Sequence, residues 1–463
     1  MNKAGFFLAV LAVLIAARFC HLDILWAEET LPLAAASQIE AGKTLYRDAW
    51  FDKPPLVPAV YLLWGVRDGV PLRVAGALYC LLACWLASLA ARQLFDERAG
   101  LWAAGLLGFF LIFDTASAVL PLAADLLMLA PHLAAIWLAA ARRPFLSGAM
   151  AGVAFLCNVK GVFVLAASAI FAMPMLALLL AGFALPCAAA AGMLLVSGAW
   201  PSYVDQVWIW SSRYAGSSHV AHPISNGVVR TLNWLGFHCA LLLGIGLDWC
   251  RTRSLRWKMA AWAILSLAGV AMGGRFFPRY YFQLLPVLVI VAAAGLSKAR
   301  RPWIVAAGIL LLIPAIRFGP RYVLLAAGRS GQWADTAMDR ESRNAAALVL
   351  RDAQQGDTLF VWGFRPDLYI DTGLPAATRF LDCQALTGVP ADRHLTQSAP
   401  VMTASTLEAR LELARSRPSV VIDGLGPYNP ALAMERYPEL REWLRNYREV
   451  GRSGNELVYR LRR

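Results

Sequence analysis

The chain has 463 residues, of which 59% are hydrophobic and 16% are charged, and its mean hydropathy is +0.53. In soluble globular proteins about a quarter of all residues are charged, so this composition excludes an ordinary soluble enzyme. The formal charge of +13 does not indicate nucleic-acid binding, because residues 1–318 hold 24 Lys+Arg against 13 Asp+Glu while 319–463 hold 19 against 17, which places the excess charge in the apolar part of the chain.

Apolar segments recur from the N-terminus to about residue 316. The first, 4–19, resembles a signal peptide, but Arg18 and Cys20 stand where a cleavage site is expected, so we predict a retained span. A span needs about 20 apolar residues. Further spans are predicted near 72–91, 99–113, 122–141, 145–158, 161–173, 175–198, 228–247, 259–273, 282–297 and 303–316. The sequence therefore predicts about eleven spans.

The distribution of Lys and Arg predicts the orientation in the membrane. With a cytoplasmic N-terminus, the short inner loops hold twelve bases and three acids, whereas the outer loops hold twelve bases and ten acids over longer segments. Basic residues concentrate in short cytoplasmic loops near span ends. An odd number of spans then places the C-terminal part outside the cytoplasm.

Residues 319–463 read as a separate globular domain with alternating helix-like and strand-like segments. Cys383 is its single cysteine, so it must be stable without an internal disulfide. Helices are predicted at 335–354, 406–416 and 437–446, and strands at 358–362, 420–423 and 457–461. We expect a small α/β domain following a membrane domain, 1–318.

The large first outer loop, 21–71, carries candidate catalytic groups. Thr30 is predicted to cap an amphipathic helix that lies along the membrane surface and ends at Gly42, with Glu28 and Glu29 just ahead of it. A carboxylate in this position can act at the interface without being buried in lipid.

Lys53 lies farther along the same loop, before Pro54. A residue before proline is held in extended geometry, so this ammonium group is on a stiff segment at the membrane boundary, where it can meet a lipid phosphate. A solvated loop with a snorkelling lysine is the alternative.

Several motifs together resemble the GT-C glycosyltransferases of the protein O-mannosyltransferase and lipid A aminoarabinose-transferase type. The motifs are Glu28-Glu29, Gly42, Tyr46-Arg47-Asp48, Phe51-Asp52-Lys53-Pro54-Pro55, the acidic pair Asp114 and Asp125, Ala154 to Gly161, and Arg275 to Pro286. Two departures stand out: Glu28 replaces the family's aspartate, and Arg279 replaces a usual histidine.

The resemblance implies a polytopic α-helical membrane protein of GT-C type with a small C-terminal α/β domain on the outer side. It implies inverting transfer of a sugar from a polyprenyl-phosphate donor to a hydroxyl of a glycolipid, glycan or protein, at the periplasmic face of a bacterial inner membrane. Membrane lipids are expected partners and nucleic acid is not. A transporter or flippase of lipid-linked substrates is the alternative, but we find no internal repeat of the kind that transporters show.

The resemblance also implies roles for individual residues. Glu28 is the expected base, with Asp23 as its rival, and Asp125 orients the acceptor or the base. Cations that stabilise the leaving phosphate are expected at Lys53, Arg275, Arg279 and Lys160. Further substrate contacts are expected from Glu29, Tyr46, Asp52 and Tyr280.

A metal site is left open by the sequence. His219 and His222 lie three residues apart and are candidate ligands for a divalent ion. Two histidines without further ligands at fixed spacing do not define a metal site. No cofactor is assigned, and the polyprenyl-phosphate sugar is the donor substrate.

Overall fold

A computed structural model describes residues 2–217, 222–249, 255–329, 331, 333–390 and 397–462. Up to residue 329 the described chain is helical. The helices are α1 (Lys3–Phe19), α2 (Ala27–Glu40), α3 (Leu56–Tyr61), α4 (Gly69–Leu94), α5 (Glu97–Phe110), α6 (Ala116–Val119), α7 (Ala124–Leu127), α8 (Leu129–Ala140), α9 (Pro144–Cys157), α10 (Gly161–Ala172), α11 (Leu176–Val196), α12 (Trp200–Tyr203), α13 (Trp210–Ser217), α14 (Pro223–Phe237), α15 (Cys239–Trp249), α16 (Arg256–Ala271), α17 (Leu285–Ser297) and α18 (Arg301–Ala326).

The predicted apolar spans coincide with helices, but few of these helices are long. Among the described residues, three are long and apolar enough to cross a membrane, namely α4, α11 and α18. A fourth span results if α14 and α15, bent by 81°, count together. Other apolar helices have 10–17 residues, so the number eleven stays a prediction. Helix α18 runs past the predicted end of its span and through the predicted domain boundary at 318.

Close packing of α9 on α11 fixes the helix that leads into the candidate site. A Cβ atom built on Gly148 would lie 1.9 Å from the carbonyl oxygen of Leu179, and one on Gly182 would lie 1.9 Å from that of Phe145. Small residues allow membrane helices to approach this closely. Helix α9 is thereby held in place, and its end at Cys157 presents Asn158 and Lys160.

The C-terminal part, defined here as the described residues from 334 to 462, combines helices with one small mixed sheet. Strand β1 pairs with β2 in parallel, while β2 with β4 and β4 with β3 are antiparallel, giving the order β1-β2-β4-β3. Both β1 and β2 are fully buried. The elements are α19 (Ala334–Arg351), β1 (Leu359–Trp362), α20 (Asp367–Thr372), α21 (Gln384–Thr387), α22 (Ala404–Arg415), β2 (Val420–Asp423), α23 (Pro438–Leu444), β3 (Tyr447–Ser453) and β4 (Glu456–Leu461).

Helix α2 differs from the predicted surface helix in its start and its environment. It begins at Ala27, and Glu29 Oε1 caps this end by accepting a hydrogen bond from the backbone N–H of Trp26 at 3.2 Å. Thr30 lies inside the helix and donates to the carbonyl of Ala27, so its predicted capping role is wrong. Gly42 follows the C-terminus with a φ of 84°, as predicted. Most of α2 is buried, and it packs against α3 and against α20 of the C-terminal part.

A buried ion pair between Arg73 and Glu29 fixes the start of α2 against α4. The side chains are 1% and 0% exposed, and Arg73 Nη2 lies 2.7 Å from Glu29 Oε1. Arg73 also donates to the carbonyls of His21 and Ile24 in the turn after α1. This network therefore holds the neighbouring Glu28 in place through its helix.

Replacing Arg73 by alanine is expected to destabilise the protein by about 3–5 kcal/mol, because it leaves the buried Glu29 carboxylate without its partner. Thermal unfolding of the purified protein in detergent measures this loss. Arg67→Ala is the matched control, since Arg67 is an exposed arginine just ahead of α4. Equal melting temperatures for Arg73→Ala and Arg67→Ala would show that the buried pair contributes nothing.

Candidate active site

Arg279 forms the centre of the candidate site. It lies in a 3-10 helix, Pro278–Gln283, that follows a tight loop in which Gly273 and Gly274 have φ values of 82° and 67°. Its Nη1 is 2.6 Å from Glu28 Oε1, and its Nε is 3.6 Å from Asp125 Oδ2. One guanidinium group therefore links two of the predicted acidic residues.

Asp125 is buried, and two further partners come from the turn between α9 and α10. Asn158 Nδ2 donates to Asp125 Oδ1 at 2.9 Å, and Lys160 Nζ lies 3.7 Å from the same oxygen. Lys160 Nζ also lies 3.0 Å from the centre of the Tyr280 ring. This ammonium group is buried and makes no hydrogen bond within the described residues, so a polar ligand would stabilise it.

Lys53 approaches the same region from the first outer loop. Its Nζ is 2.6 Å from Asp52 Oδ1, and its side chain is 40% exposed. The fully buried Tyr46 donates its hydroxyl hydrogen to the carbonyl of Lys53 at 2.8 Å. Tyr46 thus holds the backbone that carries the lysine, and Asp52 holds its ammonium group.

These basic residues line one cavity of about 230 Å³, called here the cationic cavity. Because a phosphate monoester is an anion, a concave site with several fixed cations has the chemistry to bind one. The polar and charged residues that line it are Asp52, Lys53, Asp125, Asn158, Lys160, Ser211, Arg275, Arg279, Tyr280 and Gln384.

A second cavity of about 630 Å³, called here the aromatic cavity, is lined by Glu28 and also by Arg279. Glu28 does not line the cationic cavity, so the predicted base and the predicted phosphate ligands occupy neighbouring spaces joined at Arg279. Trp234 and Tyr281 are stacked with ring centres 4.7 Å apart, and Asp114 accepts a hydrogen bond from the Trp234 indole at 3.3 Å. The other aromatic residues that line this cavity are Phe237, Phe276, Phe277 and Phe364.

The C-terminal part contributes to both cavities. Met338 and Phe364 line the aromatic cavity, and Gln384 lines the cationic cavity. Beside Gln384, burial raises the pKa of the Asp382 carboxyl to about 7, opposed by hydrogen bonds from Gln384. Asp382 is also close enough to Asp52 and Lys53 to interact with both electrostatically.

Four of the predicted residues that the structure describes, namely Glu29, Tyr46, Asp23 and His222, line neither cavity. Tyr46 was expected to contact substrate, but it is fully buried and its hydroxyl is bonded to the carbonyl of Lys53. Glu29 is buried against Arg73 and lines neither one. The Asp23 side chain is exposed, and its carbonyl accepts a hydrogen bond from Arg343, which places this rival base outside both cavities. His222 lies just ahead of α14, and His219 lies outside the described residues. In the part of the chain that the structure describes, no group of three or more His, Cys, Asp or Glu residues could hold a metal.

Some lining residues were missed in the sequence. Asn158 stands in the quoted segment before Lys160, so its polar side chain inside an apolar run was an available signal. Tyr281 likewise lies within the motif from Arg275 to Pro286. Trp234 and Gln384 had no such signal, because nothing local distinguishes them from an interface aromatic or a turn residue.

The helical arrangement and the small mixed sheet form a mostly helical, polytopic membrane fold that is similar to a solved structure over nearly its full length. The chain matches ArnT from Cupriavidus metallidurans bound to undecaprenyl phosphate, with 18% identity, a TM-score of 0.59, and coverage of 99% of this chain and 98% of that one. The apo state of the same protein matches at 17% identity and the same TM-score. These matches confirm the mostly helical polytopic membrane fold that the motif resemblance predicts, and the number of spans stays a prediction.

A more distant match is the archaeal oligosaccharyltransferase AglB from Archaeoglobus fulgidus in complex with an inhibitory peptide and a dolichol-phosphate. It has 13% identity and a TM-score of 0.50, and the match covers 96% of this chain and 72% of that one. No protein-family model and no curated protein matches the sequence. At these identities the likeness establishes the fold and the integral membrane character, and activity has to be argued from the site.

Proposed function

We propose that the protein is an inverting glycosyltransferase that moves a sugar from a polyprenyl-phosphate donor to a hydroxyl acceptor. The observation that carries this proposal is the pair of adjoining cavities that share Arg279. One holds converging cations, including the buried Lys160, and the other holds the Glu28 carboxylate. An anionic leaving group and a base are the two requirements of such a transfer.

The donor phosphate is assigned to the cationic cavity. Breaking the bond between the anomeric carbon and the phosphate oxygen leaves negative charge on the carrier, which Lys53, Lys160, Arg275 and Arg279 would stabilise. Asp125 then acts as a positioning residue, since it contacts both Lys160 and Arg279. Asp125 was expected to orient the acceptor or the base, and we propose instead that it orients Lys160 and Arg279, two of the proposed phosphate ligands.

The acceptor is assigned to the aromatic cavity. There, Glu28 would take the proton from the acceptor hydroxyl as its oxygen attacks the anomeric carbon from the face opposite the phosphate. Aromatic walls suit the apolar faces of a sugar ring, which favours a glycan or glycolipid over a peptide. We propose no residue as a metal ligand.

The proposed setting is the bacterial inner membrane, with the N-terminus in the cytoplasm and the site on the periplasmic side. Density of Lys and Arg in the predicted inner loops supports this orientation. Division into a membrane domain, 1–318, and a periplasmic domain, 319–463, stays a proposal, with the continuous helix α18 as the connection.

Transfer can be separated from transport by one assay. Proteoliposomes receive undecaprenyl-phosphate sugar labelled in the sugar, together with a glycolipid acceptor fraction. A transferase moves the label into the acceptor and releases undecaprenyl phosphate, whereas a flippase moves intact donor between leaflets. Movement of intact donor without any transfer would favour the transporter alternative.

Lys53→Ala is expected to weaken binding of undecaprenyl phosphate about 10-fold or more, because a charge-assisted hydrogen bond is lost. Binding to the purified protein in detergent measures this directly. Lys298→Ala is the matched control, since Lys298 is an exposed lysine at the end of α17. Unchanged affinity in Lys53→Ala would remove this residue from the phosphate site.

A further inference from the structure

We propose that Gln384, positioned by Asp382, contacts the sugar of the donor and contributes to donor selectivity. The inference rests on the proposed function and deepens it, by assigning part of the donor site to the C-terminal part of the chain. The sugar class it indicates is a hexose or pentose that presents an uncharged hydroxyl to a side-chain amide.

The segment that carries Gln384 is anchored on the first outer loop. Lys43 Nζ donates to the carbonyl of Ala376 at 2.8 Å. Farther along, the backbone N–H of Trp50 donates to the carbonyl of Arg379 at 2.7 Å. These two bonds tie the segment ahead of α21 to the loop that presents Lys53. The C-terminal part therefore forms a wall of the cationic cavity.

Asp382 orients the amide at that wall. One oxygen of Asp382 accepts the backbone N–H of Gln384 at 2.9 Å, and the other accepts its side-chain Nε2 at 2.8 Å. Both residues are 2% exposed. Because the backbone of Gln384 and its buried side-chain nitrogen are both bonded to the same carboxylate, the side chain has little conformational entropy left to lose on binding.

The other polar groups of the cavity have different tasks. The four basic side chains, Lys53, Lys160, Arg275 and Arg279, are assigned to the negatively charged phosphate. The amide of Asn158 is engaged at both ends, since its nitrogen donates to Asp125 and its oxygen accepts the backbone N–H of Lys160. Gln384 brings a second side-chain amide to the lining of this cavity, from the C-terminal part. An amide carries two N–H donors and a carbonyl acceptor, which suits a sugar hydroxyl.

The decisive measurement compares a donor that has a sugar with the bare carrier. For wild type and Gln384→Ala, kcat/KM is measured with undecaprenyl-phosphate-linked glucose, galactose, mannose and aminoarabinose, and Kd is measured for undecaprenyl phosphate alone. We expect Gln384→Ala to reduce the discrimination between the best and second-best donors about 5- to 10-fold, the size of a lost hydrogen bond. Its Kd for undecaprenyl phosphate is expected to stay within about twofold of wild type.

Gln354→Ala is the matched control, because this glutamine is exposed on the same part of the chain. Melting temperatures check that both variants are folded, and Gln384→Met provides a second, uncharged variant of similar size. If Gln384→Ala and Gln384→Met keep the wild-type donor preference, or if they lose undecaprenyl phosphate binding as Lys53→Ala should, the inference is wrong. If wild type transfers none of these sugars, the proposed function itself fails and the inference with it.

Discussion

Replacing Glu28 by glutamine is expected to lower kcat for sugar transfer by about 10²–10⁴, the usual contribution of a general base. Glutamine keeps the length of the side chain but has no basic oxygen that can accept the acceptor's proton. Because Glu28 lines the aromatic cavity rather than the cationic cavity, donor binding should be little changed. Transfer from labelled undecaprenyl-phosphate sugar under saturating donor measures kcat, and binding of undecaprenyl phosphate measures the second point.

Two variants serve as controls for this result. Glu40→Gln makes the same chemical change at the exposed end of the same helix. Asp23→Asn tests the rival base, whose side chain is exposed and lines neither cavity. Both should keep near-normal kcat. A Glu28→Gln enzyme with full activity, or an inactive Asp23→Asn enzyme, would contradict the assignment of the base.

Replacing Arg279 by alanine is expected to lower kcat/KM by about 10²–10³, because a fixed cation that stabilises the leaving phosphate is lost. The effect should exceed that of Lys53→Ala, since Arg279 also contacts Glu28 at 2.6 Å and approaches Asp125 at 3.6 Å. Both the donor affinity and kcat are therefore expected to fall. Steady-state kinetics over a range of donor concentrations separates the two.

Arg279→Lys tests whether charge or shape matters at this position. A lysine keeps the positive charge but has no planar group with which to bridge a carboxylate and a phosphate, so it should recover donor affinity more than kcat. Arg329→Ala is the control, as Arg329 is an exposed arginine after α18. If Arg279→Ala retains wild-type kcat/KM, Arg279 is not the link between the two cavities.

Arg279 and Glu28, the two residues at which this sequence departs from the motifs that it resembles, form an ion pair. Neither the contact nor its length can be read from residues 251 positions apart in the chain.

In the C-terminal part, local sequence patterns were enough to predict the helices and strands that have a buried face. Strand β2 coincides with the predicted 420–423, and α19 and α22 lie close to their predicted ranges. Strand β3 was not predicted, because Tyr447–Ser453 is largely exposed and charged and has no apolar run. Strand β3 lies at the edge of the sheet and is held there by its pairing with β4. Its own sequence therefore has no hydrophobic pattern that predicts a strand.

The apolar helices, the segment that carries Glu28 and Lys53, and the basic residues at Lys160, Arg275 and Arg279 can be predicted from sequence patterns alone. These predictions follow from hydrophobicity, proline geometry and residue type, which act over a few positions. Three relations appear only in the folded molecule: Glu28 and Lys53 line different cavities, α2 is buried and packs against α20, and Gln384 lines the cationic cavity. Those relations depend on packing between distant segments, and packing depends on the shapes of both surfaces, which no single stretch of the chain contains.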